Sequence, residues 1–85
     1  MSTADTFNTA TNKRAEALDT LIRSAERIGD ADDYGDMIGC VRLVELAAEQ
    51  ARRTIIAEAR ASGESWQQIA DALGVSKQAA WERYA

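Results

Sequence analysis

The 85-residue chain contains no histidine, no proline and a single cysteine. It has no glycine-rich phosphate loop either. A metal site or a His-based catalytic dyad therefore lacks its usual ligands. A chain this short has room for one domain, or one domain with an extension, and a deep enzyme pocket would be hard to build in it. The expectation is a protein that is not an enzyme and takes no cofactor and no metal. Long hydrophobic runs are missing too. None approaches the roughly 20 residues that span a bilayer, and nothing near Met1 reads as a basic then apolar signal. Those two absences point to a cytoplasmic protein with no membrane partner. The lone Cys40, in the apolar stretch MIGCVRLV, reads as a small buried side chain in a reducing compartment rather than a reactive thiol.

What the chain does have is a helical alternation of polar and apolar residues along most of its length. From about Thr3 to Ile28, Leu18, Leu21, Ile22, Ala25 and Ile28 recur at steps of three and four, which predicts a helix with one apolar stripe and Asp5 or Thr6 as its cap. Only Phe7 is large and apolar before Ala15, so the first turns carry a weak stripe. Residues 29–36, GDADDYGD, hold two Gly and four Asp and predict a solvated break. Asp30, Asp32 and Gly35 have calcium-loop spacing, but the twelfth position falls on Val41 and not on the glutamate that closes such a loop. A second helix is expected from Met37 to about Ala61. Its seam of Met37, Val41, Val44, Ala48, Ala51 and Ile55 has heptad spacing, and Leu43, Leu46, Ala47, Ile56 and Ala59 widen the apolar face. Small residues at Ala47, Ala48 and Ala51 allow close helix approach. That face suits either an intrachain core or a subunit interface.

The last twenty residues, WQQIADALGVSKQAAWERYA, carry the clearest order: a helix, a tight turn at Gly74 and a second helix for which Ser76 is a ready N-cap. Ala70 falls where two helices must approach closely. This order matches a helix-turn-helix, whose second helix enters the DNA major groove. From about Glu49 onward, a little under half the chain, the pattern resembles the three-helix helix-turn-helix of sigma factor region 4 and related small actinobacterial regulators. The residues that carry the resemblance are Gly63 before Ser65 and Trp66, the pair Ile69-Ala70, the turn Leu73-Gly74-Val75-Ser76, and Arg83 beside Tyr84. The spacing agrees with it: Ile69, Leu73, Val75, Ala80 and Tyr84 would pack on Ile55, Ile56 and Ala59 as a small three-helix core.

The expected fold is thus all-α. An N-terminal helix and a long central helix form a hairpin over residues 1–46, with the acidic turn at 29–36, and a tri-helical helix-turn-helix occupies residues 47–85. The hairpin is the expected dimerisation region, through Leu18, Leu21, Ile22, Met37, Val41, Val44 and Ala48. The expected DNA contacts are Ser65, Gln67, Ser76, Lys77, Gln78, Trp81, Glu82 and Arg83. Gln78 can pair bidentately with adenine, Lys77 can reach guanine acceptors or a phosphate, and Ser76 can donate to the backbone at a helix N-terminus. Arg83 suits a phosphate. Trp81 suits either a thymine methyl or sugar, or packing on the core or on a partner protein.

Charge runs against a simple DNA binder. Ten basic side chains face fourteen acidic ones, a net charge of -4, whereas a basic patch is the usual footprint. The imbalance is local, with nine acidic and five basic residues in 1–46 but five of each in 47–85. Arg52, Arg53 and Arg60, with Lys77 and Arg83, form a modest phosphate-binding rim, and dimerisation would double it. The expected function is a sequence-specific, DNA-binding transcriptional regulator, cytoplasmic and nucleoid-associated, that reads double-stranded DNA as a homodimer with helix 76–84. The alternative is a protein-interaction module that uses a helix-turn-helix scaffold to bind RNA polymerase or another regulator.

Overall fold

A computed structural model describes residues 3–85, with side chains from Asp5 onward; the sequence reading at Met1 lies outside them. The described residues form α1 (Thr3–Glu26), a 3-10 turn (Arg27–Asp30), α2 (Tyr34–Ala61), α3 (Trp66–Leu73) and α4 (Lys77–Tyr84), with no strand among them. The fold is all-α, as expected. None of these helices is long and apolar enough to cross a membrane. Arg14 on α1 bonds Glu58 at 2.7 Å, and the Cys40 thiol lies 3.9 Å from the Arg27 carbonyl, so α1 and α2 run antiparallel as a hairpin. Cys40 itself is half-buried rather than fully enclosed.

Helix ends differ from the sequence reading where side chains bond their own backbone. Asp5 and Thr6 lie inside α1, not at its cap, because the chain is already helical at Thr3. The Thr9 hydroxyl donates to the Asp5 carbonyl at 2.9 Å, a local bond compatible with a helix interior. The expected break over 29–36 narrows to 31–33. Asp33 caps α2 by accepting the Asp36 N–H at 2.8 Å, so Tyr34, Gly35 and Asp36 form the first helical turn. An acidic first turn is stabilised by the positive end of the helix dipole, which is why these aspartates start a helix and do not interrupt one.

The core is narrow and built from small residues. Ala17, Ala51, Ile56, Ile69, Ala70 and Ala80 are its buried members. On α1 the stripe is rotated from the expected one: Ala17 is buried, Leu18 and Leu21 are half-buried, and Ile22 and Ala25 are exposed, as is Ile28, which falls beyond α1 in the 3-10 turn. On α2, Val44, Ala47, Ala48 and Ala59 are half-buried, while Met37, Val41, Leu43, Leu46 and Ile55 stay exposed. Alanines at the seam let helix axes approach closely, and the larger neighbours are turned to its sides. An open apolar groove of about 510 Å³ results between the hairpin and α3, lined by Leu18, Leu21, Ala48, Ile55, Ile69 and Leu73 among others.

Helix α2 ends at Ala61 with Ser62 as its C-cap, and the chain then turns at Gly63, whose φ of +99° suits glycine. The Gly63 N–H reaches the Arg60 carbonyl at 3.1 Å and the Glu64 N–H the Ala59 carbonyl at 2.9 Å, the paired bonds that reverse a chain after a helix. α2 runs unbroken through residues 46 and 47, so the hairpin and the C-terminal unit share one helix. The molecule is elongated, 47 × 30 × 15 Å.

Candidate functional site

The C-terminal unit is fixed by three local devices. At the start of α3, Ser65 Oγ accepts the Gln68 N–H at 3.1 Å and Gln68 Oε1 accepts the Ser65 N–H at 2.7 Å, a reciprocal capping box. At its end Gly74 adopts φ +73°, and the Val75 N–H closes on the Ala70 carbonyl at 3.1 Å. Two residues on, Ser76 Oγ accepts the Ala79 N–H at 3.1 Å and starts α4. Ala70 has no exposed surface and Ala80 only 1 %, so both are enclosed by neighbouring side chains. The Arg60 guanidinium steadies the entry to this unit, lying 5.0 Å over the Trp66 ring and donating to the Glu64 carbonyl at 2.8 Å.

With Ala80 and Tyr84 inward, Gln78, Trp81 and Glu82 are displaced by roughly 100–200° around α4 and face outward. Lys77, Gln78, Trp81, Glu82 and Arg83 are all exposed, Trp81 by 55 %. Val75, expected in the core, is exposed as well, since the residue after the Gly74 turn lies at the outer edge of the bend.

Several expected contact residues already have bonds within the chain. Gln78 Nε2 donates to Glu82 Oε1 at 3.0 Å, and Gln67 Nε2 donates to Asp71 Oδ1 at 2.8 Å. Each amide keeps its carbonyl oxygen and one N–H for an outside partner. Ser65 and Ser76 spend acceptor capacity on their caps and keep a donor hydroxyl. Over residues 65–85 two acidic and two basic side chains balance, so this face is neutral.

Arg83 turns away from Gln78 and toward α2. Its Nη2 lies 3.4 Å from Glu49 Oε1, to which Arg53 Nη2 comes within 3.3 Å and the Tyr84 hydroxyl within 3.5 Å; Arg52 Nη1 is 3.5 Å from Oε2. Arg53 and Arg83 lie 5.3 and 5.4 Å from the Tyr84 ring centroid. The Arg52 guanidinium is held above its ordinary pKa, first by the Tyr84 hydroxyl and to a smaller extent by Glu49. Sequence reasoning named the arginines but missed Glu49. The steps Glu49 to Arg52 and Arg53 are readable as helix neighbours; the arrival of Arg83 and Tyr84 from α4 is not. The chain matches no family model, no curated protein and no solved structure.

Proposed function

We propose that the chain is a sequence-specific DNA-binding transcriptional regulator, cytoplasmic and nucleoid-associated, in which α3, the Gly74 turn and α4 act as a helix-turn-helix and α4 reads the major groove. The observation that carries this reading is the α3–α4 unit itself: both helices capped by serine, a left-handed glycine between them, and a fully enclosed Ala70 beneath an exposed Lys77, Gln78, Trp81 and Glu82. A neutral reading face needs further phosphate contacts from α2, beside its own two cations. Arg52, Arg53, Arg60, Lys77 and Arg83 supply five cations, which corresponds to a slope of about -4 to -5 in log affinity against log salt for each protomer with all five engaged. The proposed assembly is a homodimer through the hairpin, which doubles that contact.

Sedimentation with and without random-sequence duplex DNA, repeated over a salt series, tests the reading. A dimer whose DNA affinity falls steeply with salt supports it, and a chain indifferent to duplex at low salt overturns it. The second reading, a module that docks on RNA polymerase or another regulator, draws on the Gln78–Glu82 bond and the exposed Trp81. It gains ground if Trp81→Ala abolishes capture of one stoichiometric protein while duplex binding is absent.

A further inference from the structure

The Glu49 cluster is short of negative charge and of acceptor geometry. Three guanidiniums surround one carboxylate, leaving a local surplus of two positive charges. Its four donors stand 3.3–3.5 Å away, against roughly 2.7–2.9 Å for a close charge-assisted bond. The Arg14–Glu58 bond of the same molecule reaches 2.7 Å. Three of the four donors crowd Oε1, which has only two lone pairs. Asp71 on α3 and Glu82 on α4 accept from Gln67 and Gln78 instead. Beside the cluster, Arg52, Arg83 and Tyr84 border an open cleft of about 390 Å³ whose apolar wall includes Leu73, Val75 and Ala80.

We propose that Arg52, Arg53, Arg83 and Tyr84 form an anion site in which Glu49 is a resident counter-ion, displaced when a phosphate group enters. Tetrahedral phosphate offers more acceptor lone pairs than a carboxylate, spread over several directions, and suits arginine forks approaching from two helices. The Tyr84 ring holds the guanidiniums of Arg53 and Arg83 in place, so their ordering is already done before the phosphate arrives. Glu49 thereby sets the threshold for binding: it keeps the arginines assembled and repels any phosphate too weakly held to replace it. The site is independent of where the phosphate comes from. Its assignment to a duplex backbone rests on the DNA-binding reading.

The test compares the parent with Glu49→Gln, which keeps the shape and removes the charge, using inorganic phosphate and a random-sequence duplex as separate probes. Phosphate is expected to raise the melting temperature of Glu49→Gln more than that of the parent. Duplex at low salt should bind about five- to tenfold tighter, the size of one removed like charge near a phosphate. Adding Arg83→Gln should erase that gain. A phosphate difference with no duplex binding by either protein keeps the anion site and overturns the DNA reading. Duplex binding by the parent, with Glu49→Gln responding identically to both probes, overturns the counter-ion role and leaves the DNA reading standing. Silence from both probes overturns both. Should Glu49→Gln fail to fold, the exposed pair Arg52→Gln and Arg53→Gln decides, and an undiminished response to phosphate overturns the site.

Discussion

Ala70 and Ala80 are the tightest points of the C-terminal unit, and the geometry of α3 against α4 depends on their size. Leucine at position 70 would add three carbons where no surface is free. Overpacking of that kind costs about 1–3 kcal/mol, so Ala70→Leu should lower the urea midpoint by an amount corresponding to that range; an unchanged midpoint would mean that α3 and α4 are not held at this distance. A second residue-scale effect is electrostatic. The Glu58 carboxyl is held below its ordinary pKa, chiefly by the hydrogen bond from Arg14 and against the opposing effect of burial. A carboxyl with a lowered folded-state pKa binds fewer protons folded than unfolded. Its stabilisation is therefore complete above the unfolded value, near pH 4.5, and is lost as pH falls through the lower folded value. Glu58→Gln should flatten the acid side of the stability profile while leaving its shape near neutrality unchanged. A profile with the same acid slope as the parent would remove the Arg14–Glu58 pair from the account of hairpin stability.

At the scale of elements, α4 joins the proposed reading surface to the Glu49 cluster. Lys77→Ala and Gln78→Ala should each abolish sequence-specific duplex binding with helicity by circular dichroism unchanged, because both side chains are exposed and contribute nothing to the core. If both variants bind a selected site like the parent, the outward face of α4 is not what reads it. The caps and turns of this unit were legible in the sequence: Gly63, Ser65, Gly74 and Ser76 have local jobs, and local chemistry decides them. The acidic segment misled for a related reason. Four aspartates resemble a loop by composition, yet Asp33 and Asp36 are placed to cap and charge the first turn of α2. The rotation of the α1 stripe was not legible. Periodicity finds the apolar side of a helix, but Ala17 took the centre over Leu18 because closeness of approach, a property of two helices together, decided the contact line. Glu49 was hidden for the same reason, since its partners lie 34 and 35 positions away on α4.

The molecule as a whole has more surface than a compact fold of its mass needs. It exposes 6085 Å², where a compact monomer of 9.3 kDa exposes roughly 5,000 Å². Its radius of gyration is 15.5 Å, against about 12 Å for a compact domain of this length. Elongation alone would account for extra area, but not for its chemistry. Ile22, Met37, Ile38, Val41 and Leu46 are all exposed on the hairpin, as is Tyr34 by 82 %. A standard protein interface takes roughly 800 Å² from each partner, less than the whole-chain surplus of about 1,100 Å² over a compact fold. A second copy is the occupant we propose, the exposed apolar side chains of one hairpin meeting those of the other about a twofold axis. Burying the remaining exposed half of an Ile or Val side chain contributes about 1 kcal/mol, so charge placed at two such positions should outweigh what the rest of the face gains. The variant carrying Ile22→Glu and Val41→Glu is expected to sediment as a monomer at concentrations where the parent is a dimer, with its helicity kept because neither residue is buried within one chain. It should also lose the concentration dependence of its melting temperature. Duplex affinity should fall more than tenfold, as half of the phosphate contacts go with the second protomer. A parent that sediments as a monomer throughout, or a variant that stays dimeric, would move the interface off this face and leave the apolar side of the hairpin for a different protein.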